Sequence, residues 1–208
     1  PIYRMREGAN YLTEFLQAQP ELEALSSHWI TFPLPTERKL QLHLLMMFRD
    51  PIERIRSVYA FERRQEPAET PGSKKAKQLS FKDYVKWQLE PMPGPVVKNF
   101  HTRYCSGEYL GEELALLNEK ARETVSNAPL LGIVERYDES MVLLEHSLKR
   151  QFPTLDLAYR AQNATRDLQQ DPAVSRLQVL DELGDIADAV MAANRYDIEL
   201  YADVCKQF

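Results

Sequence analysis

Short apolar runs that alternate with amphipathic segments predict an α/β fold with a mostly parallel sheet. Three observations lead there. Residues 40–48 form a near-continuous apolar run of strand length, as expected of a strand covered on both faces. Arg49-Asp50-Pro51-Ile52-Glu53 follows at once and carries a helix start, with Asp50 to cap, Pro51 at the first helical position and Glu53 to complete a capping box. Residues 130–134 form a second short buried strand between two helical stretches.

The 208 residues suit one domain over 1–208, and 44% apolar with 27% charged residues is an ordinary globular balance. No apolar run exceeds five residues, whereas a membrane span needs about 20. No basic-then-apolar leader opens the chain, so neither a signal peptide nor a membrane segment is expected. A net charge of −5 argues against nucleic acid as a partner. Cys105 and Cys205 lack a CxxC spacing, and the four histidines are scattered, so no metal site is expected. Reduced thiols in a cytoplasmic protein are the simpler reading, and a disulfide in a trimmed luminal domain is the alternative.

In chain order, Ile2-Tyr3-Arg4-Met5 is a strand candidate, and a helix with Leu12, Phe15 and Leu16 on one face runs toward Pro20. His28-Trp29-Ile30-Thr31-Phe32 is rich in aromatic and β-branched residues and predicts a strand bounded by Pro33 and Pro35. The helix begun at Pro51 extends to about residue 64. Residues 65–79 hold Pro67, Pro71, Gly72 and three lysines and predict a mobile loop. Ser80 caps a helix over 81–89, which Pro91, Pro93, Gly94 and Pro95 end. Residues 99–106 have no clear pattern. Helices are expected over 112–128, 140–152, 172–192 and 194–206, with a polar loop over 163–170.

Four places can carry chemistry. The glycine turn Arg6-Glu7-Gly8-Ala9-Asn10, between strand and helix, exposes backbone N–H groups suited to a phosphate, with Arg6 adding charge. It is not a G-x-x-x-x-G-K-[ST] loop, and a tight turn with a solvated arginine is the alternative. Arg49 emerges at the carboxyl edge of a strand, where open α/β sheets bind ligands, and Ser57 lies eight residues on. A guanidinium and a hydroxyl so placed can share one phosphate; an ordinary capped helix is the alternative. His28 beside Trp29 is a candidate general base or a structural histidine. Arg63, Arg64, Lys74 and Lys75, with Lys77, can bind an anionic acceptor or form a solvated basic surface.

Taken together these segments resemble the sulfotransferases that use 3′-phosphoadenosine-5′-phosphosulfate (PAPS), in particular the carbohydrate, heparan-sulfate 2-O-like branch and its bacterial relatives. Met5-Arg6-Glu7-Gly8-Ala9-Asn10 occupies the place of the family's P-K-[ST]-G-[GT]-[ST] loop. Arg49-Asp50-Pro51-Ile52-Glu53-Arg54 with Ser57 fits its R-D-P-x-x-R signature and following serine. His28 stands 21 residues before Arg49, near the interval of the family's proposed base. Asn99-Phe100-His101-Thr102-Arg103-Tyr104, Gly132-Ile133-Val134-Glu135-Arg136-Tyr137-Asp138-Glu139-Ser140 and the closing residues 194–208 resemble further family segments.

The resemblance implies a P-loop-type three-layer sandwich and sulfuryl transfer from PAPS, with PAP as product and no metal, to a hydroxyl-bearing small molecule or carbohydrate. It assigns the 5′-phosphosulfate to Arg6, Glu7, Gly8, Ala9, Asn10 and Tyr11, the 3′-phosphate to Arg49 and Ser57, catalysis to His28 and Arg6, and the acceptor to Arg63, Arg64, Lys74 and Lys75. Two departures stand out: the family lysine is Arg6, and its loop hydroxyls are replaced by Glu7, Asn10 and Tyr11. A PAP-binding protein without catalysis is therefore one alternative, and a P-loop kinase is another. A homo-oligomer is left open.

Overall fold

A computed structural model describes residues 9–26, 30, 32–35, 41–91, 94–107, 113–160 and 172–208, without the side chains of Ala9 and Asn10. The chain divides into two compact units, one of residues 1–45 and 101–129, the other of residues 46–100 and 130–208.

The second unit holds the sheet. Strand β1 (Leu45–Phe48) pairs with β2 (Leu130–Ile133) in a two-stranded parallel sheet. Met46 and Phe48 of β1 are buried, and Leu45 is exposed. Helix α2 (Pro51–Arg64) follows β1 after two residues. Asp50 caps it as expected, its Oδ1 accepting from Ile52 N at 2.9 Å and Glu53 N at 3.0 Å. The capping box does not close: Asp50 N donates instead to Glu135 Oε1 at 3.2 Å.

Ile52 and Ile55 of α2 enter a core with Ala76, Tyr84, Val85, Val97, Val179, Leu183 and Val190. These come from α2, α3 (Pro71–Gln78), α4 (Phe81–Leu89), α8 (Pro172–Leu183) and α9 (Ala187–Ala193), with Val97 from a connecting segment. Tyr84, with no exposure, donates no free hydroxyl to water; Gln88 Nε2 donates to it at 2.8 Å, and burial pushes its phenol up to about 12. Helices α7 (Tyr137–Leu148) and α10 (Arg195–Gln207) complete the unit, α7 entered through a 3₁₀ turn at Val134–Arg136.

The other unit contains α1 (Ala9–Gln17), most of α5 (Phe100–Cys105) and α6 (Leu114–Ser126). Leu117, Ala121 and Val125 make one buried stripe at four-residue spacing on α6. Gly107 has φ +77°, and a Cβ there would stand 2.2 Å from the carbonyl oxygen of Phe32, so glycine is required twice over.

Several expectations are corrected. Residues 65–79 are not a mobile loop: eight of them form α3, capped by Thr70 Oγ1 accepting from Ser73 N at 3.0 Å, with Ser73 and Ala76 buried. Thr70-Pro71 repeats the cap-then-proline start of Asp50-Pro51, and Ala76 is held by the core, which overrides the loop-like composition. The helix expected over 172–192 is broken by a 3₁₀ turn at Gly184–Ile186, where Gly184 has φ +57°. The unpatterned residues 99–106 contain α5. Among the described residues the sheet has two strands, so the fold is mixed α/β, and a three-layer sandwich is not displayed. The strand candidate at 2–5 and the polar loop at 163–170 lie outside the described residues, as do residues 28, 29 and 31 of the strand expected at 28–32.

Candidate functional site

The junction of β1 and α2 brings together several buried charges. Arg49 leaves the end of β1 with 22% of its side chain exposed. Its Nη2 lies 3.6 Å from Glu53 Oε2 and its Nε 3.6 Å from Glu135 Oε1, and both carboxylate side chains are only 3% exposed. At 3.6 Å these are Coulombic contacts and not hydrogen bonds. Arg49 Nε is accordingly buried with no hydrogen-bond partner. Leaving a buried donor unmet costs about 1–3 kcal/mol, so the guanidinium is neutralised in charge but unsatisfied in hydrogen bonding.

The surrounding groups are better satisfied. Asp50 Oδ2 pairs with Arg176 Nη1 of α8 at 2.9 Å. Glu53 Oε1 accepts from the Ser175 hydroxyl. Glu135 accepts from Asp50 N through Oε1 and from the Tyr201 hydroxyl of α10 through Oε2, at 3.2 and 2.9 Å. Burial nevertheless pushes the Glu135 carboxyl above its ordinary range, against the lowering effect of those hydrogen bonds and of Arg49. Burial, and then the charge of Glu135, push the Tyr201 phenol upward. Around Arg49, three carboxylates (Asp50, Glu53, Glu135) face two guanidiniums (Arg49, Arg176).

The segments that carried the resemblance build the frame of this junction. Ser140 Oγ accepts from Ile133 N at 2.8 Å and lies 3.0 Å from Ile133 O and 2.8 Å from Arg136 O. It thereby locks β2 to the first turn of α7 and sets the backbone from which Glu135 projects. Asn99, at φ +49°, uses Oδ1 to accept from Tyr196 N and Asp197 N, both at 3.1 Å, and so caps α10 from a distant segment. Asn194 Oδ1 accepts from Asn99 N, while its Nδ2 lies 2.9 Å from Val97 O and from Val190 O. Arg54 Nη1 donates to Val96 O at 2.7 Å, and its guanidinium lies 3.5 Å from the Phe100 ring centroid.

Of the expected site residues, Arg49 and Ser57 both belong to the second unit. Ser57 is half-buried on α2. Residues 49, 53 and 57 recur at four-residue spacing, so Glu53 stands on the same helix face between the arginine and the serine. Arg63 and Arg64 close α2 and line an open cleft of about 510 Å³ with Arg56, Tyr59 and Phe81. Arg63 donates to the Tyr59 hydroxyl at 2.6 Å, and Arg56 pairs with Glu182 at 2.8 Å. Lys74 and Lys75 sit on α3 and do not line that cleft. Arg6, Glu7, Gly8 and His28 lie outside the described residues. In the other unit, Ala9 and Asn10 begin α1, and Tyr11 is half-buried on it.

Sequence reasoning does not single out Glu53, Glu135, Arg176 or Tyr201 as partners of the site. The spacing of Glu53 between Arg49 and Ser57 was the available signal. Nothing local marks Arg176, which reaches Asp50 across 126 positions of sequence. Among the described residues no group of three His, Cys, Asp or Glu side chains is placed to hold a metal ion, and no helix is long and apolar enough to cross a membrane.

No family model and no solved structure matches the chain. An uncharacterized protein of Archaeoglobus fulgidus is 28% identical over 211 residues, covering 97% of this chain and 82% of the relative.

Proposed function

We propose that this chain is a PAPS-dependent sulfotransferase acting on an acceptor hydroxyl, with a carbohydrate as the acceptor. The observation that carries the reading is Arg49: it leaves a parallel strand, opens a capped helix and keeps a buried Nε without a hydrogen-bond partner. A phosphate oxygen is a natural partner for such a donor. The resemblance of the R-D-P segment supports the assignment of Arg49 and Ser57 to the 3′-phosphate. PAPS supplies an activated sulfuryl group when bound and leaves as PAP. On the protein's side, Arg6 and the backbone of residues 8–10 hold the 5′-phosphosulfate and favour negative charge there. His28 takes the proton of the acceptor hydroxyl. Arg63, Arg64, Lys74 and Lys75 offer cationic groups to the acceptor. A cytoplasmic location and a P-loop-type sandwich belong to the same reading.

The second reading is a PAP-binding protein without transfer. Glu7 in the phosphosulfate loop favours it, as do the two carboxylates already on Arg49. A thermal-shift panel with PAP, ADP and ATP–magnesium tests the nucleotide class, and transfer from PAPS to a panel of saccharides tests the chemistry. Stabilisation by PAP above the other two is expected, with Arg49→Ala weakening PAP by about tenfold or more. Binding of PAP without transfer selects the second reading. A response to ATP–magnesium alone refutes both.

A further inference from the structure

Two carboxylates flank Arg49, those of Glu53 and Glu135, and each is also held by other groups. Asp50 has Oδ1 on the α2 cap and Oδ2 on Arg176. Glu53 has one oxygen on the Ser175 hydroxyl and the other on Arg49 Nη2. Glu135 Oε1 faces the very nitrogen that lacks a hydrogen bond, Arg49 Nε, from 3.6 Å. Its carboxylate is thus the group standing where an anion would approach that donor. It is also buried, a costly environment for a carboxylate that Arg49 offsets only in part.

We infer that Glu135 is the resident counter-ion of the Arg49 site, and that an anionic ligand enters there by exchange with this carboxylate. The inference rests on the nucleotide reading above and adds the rule by which the site admits a ligand. A phosphate monoester carries close to two negative charges and three acceptor oxygens, against one charge on Glu135. It can satisfy Arg49 Nε and still neutralise the guanidinium after the carboxylate has moved away. A singly charged ligand offers Arg49 no more charge than Glu135 already supplies. The site is therefore selective for a dianionic phosphate monoester such as the 3′-phosphate of PAP.

The exchange also reaches beyond the site. Glu135 holds Tyr201 of α10 and the Asp50 backbone at the start of α2. A ligand that displaces its carboxylate loosens both contacts, so occupancy of Arg49 is linked to the docking of α10.

The test is PAP affinity by titration calorimetry in wild type, Glu135→Gln, Glu135→Ala, Arg49→Ala and Asp185→Asn, each checked for a cooperative melt. Glu135→Gln keeps an oxygen for Asp50 N and a polar group for Tyr201 while removing the charge. Glu135→Ala removes the charge without relying on those bonds, and Asp185→Asn deletes an exposed carboxylate that pairs with Lys82. Removing a like charge from the ligand's place is expected to tighten PAP by about tenfold or more. Asp185→Asn should leave PAP affinity at the wild-type level, and Arg49→Ala should weaken it. If Arg49→Ala weakens PAP while whichever Glu135 variant folds binds it no tighter than wild type, the counter-ion role is overturned and the nucleotide reading stands. Equal tightening by Asp185→Asn also overturns it, because the effect is then one of net charge. If PAP binds none of the proteins, the nucleotide reading falls and takes this inference with it.

Discussion

Replacing Asn99 tests how the frame behind the Arg49 site is held. The side chain is 3% exposed, sits at φ +49°, and caps α10 through two N–H groups at 3.1 Å. Asn99→Ala deletes the acceptor and leaves Tyr196 N and Asp197 N without it. Loss of a cap costs about 0.5–2 kcal/mol. The left-handed backbone adds about 1–2 kcal/mol for alanine, a cost that asparagine avoids in part and glycine does not have. The sum is about 1.5–4 kcal/mol, or roughly 3–16 °C in Tm for a chain of this size. Asn99→Gly removes the cap without the backbone cost and should fall between wild type and Asn99→Ala. Asn99→Asp keeps an acceptor beside a helix N-terminus and should be the mildest of the three. Urea and thermal denaturation followed by circular dichroism measure the order. If the glycine variant is as unstable as the alanine variant, the left-handed backbone contributes nothing; if Asn99→Asp is the worst, the capping account is wrong.

Three further outcomes are expected. A Cβ at Gly132 would lie 2.3 Å from Met47 Sδ and 3.2 Å from the Ser140 Cβ, so Gly132→Ala makes the Met47 side chain turn aside and presses on Ser140, lowering stability by about 1 kcal/mol; an unchanged urea midpoint would refute the close packing. Trypsin should cleave after Lys74, Lys75 and Lys77 only as fast as the second unit opens, because α3 is capped and Ala76 is in the core; early cutting there in the folded protein would restore the mobile loop. The Glu135 carboxyl, raised by burial from an unfolded value of 4.5, binds its proton more readily in the folded chain. Its stabilising effect is therefore complete below about pH 4.5 and is lost as pH rises through the higher folded value. Wild type should accordingly lose stability relative to Glu135→Gln over that window, and a flat or opposite difference between the two melts would contradict the burial argument.

Local chemistry made much of the second unit readable. Asp50-Pro51 and Ser80 mark helix starts whose caps form within three residues, and the structure has α2 and α4 at the expected bounds. The apolar runs locate β1 and β2, although β1 takes up only residues 45–48 of the run at 40–48 and its Leu45 is exposed, so the strand is not covered on both faces. Composition misled at residues 65–79, where lysines, prolines and glycine suggested a loop. The decisive fact there is the burial of Ala76 against residues of α2, α4, α8 and α9, which no local pattern encodes.

The candidate site divides along the same line. That Arg49 emerges between an apolar strand and a capped helix is legible in the chain, because the apolar run, the Asp50 cap and the proline start are local signals. What Arg49 meets is set by tertiary packing. Glu135 comes from 86 positions away in sequence, and Arg176 and Tyr201 come from α8 and α10. A charge acquires a partner through distance in space, and the fall of Coulomb energy with separation takes no account of sequence order. The same arginine that reads from sequence as an open anion site is, once the chain has folded, an arginine already held by two of its own carboxylates.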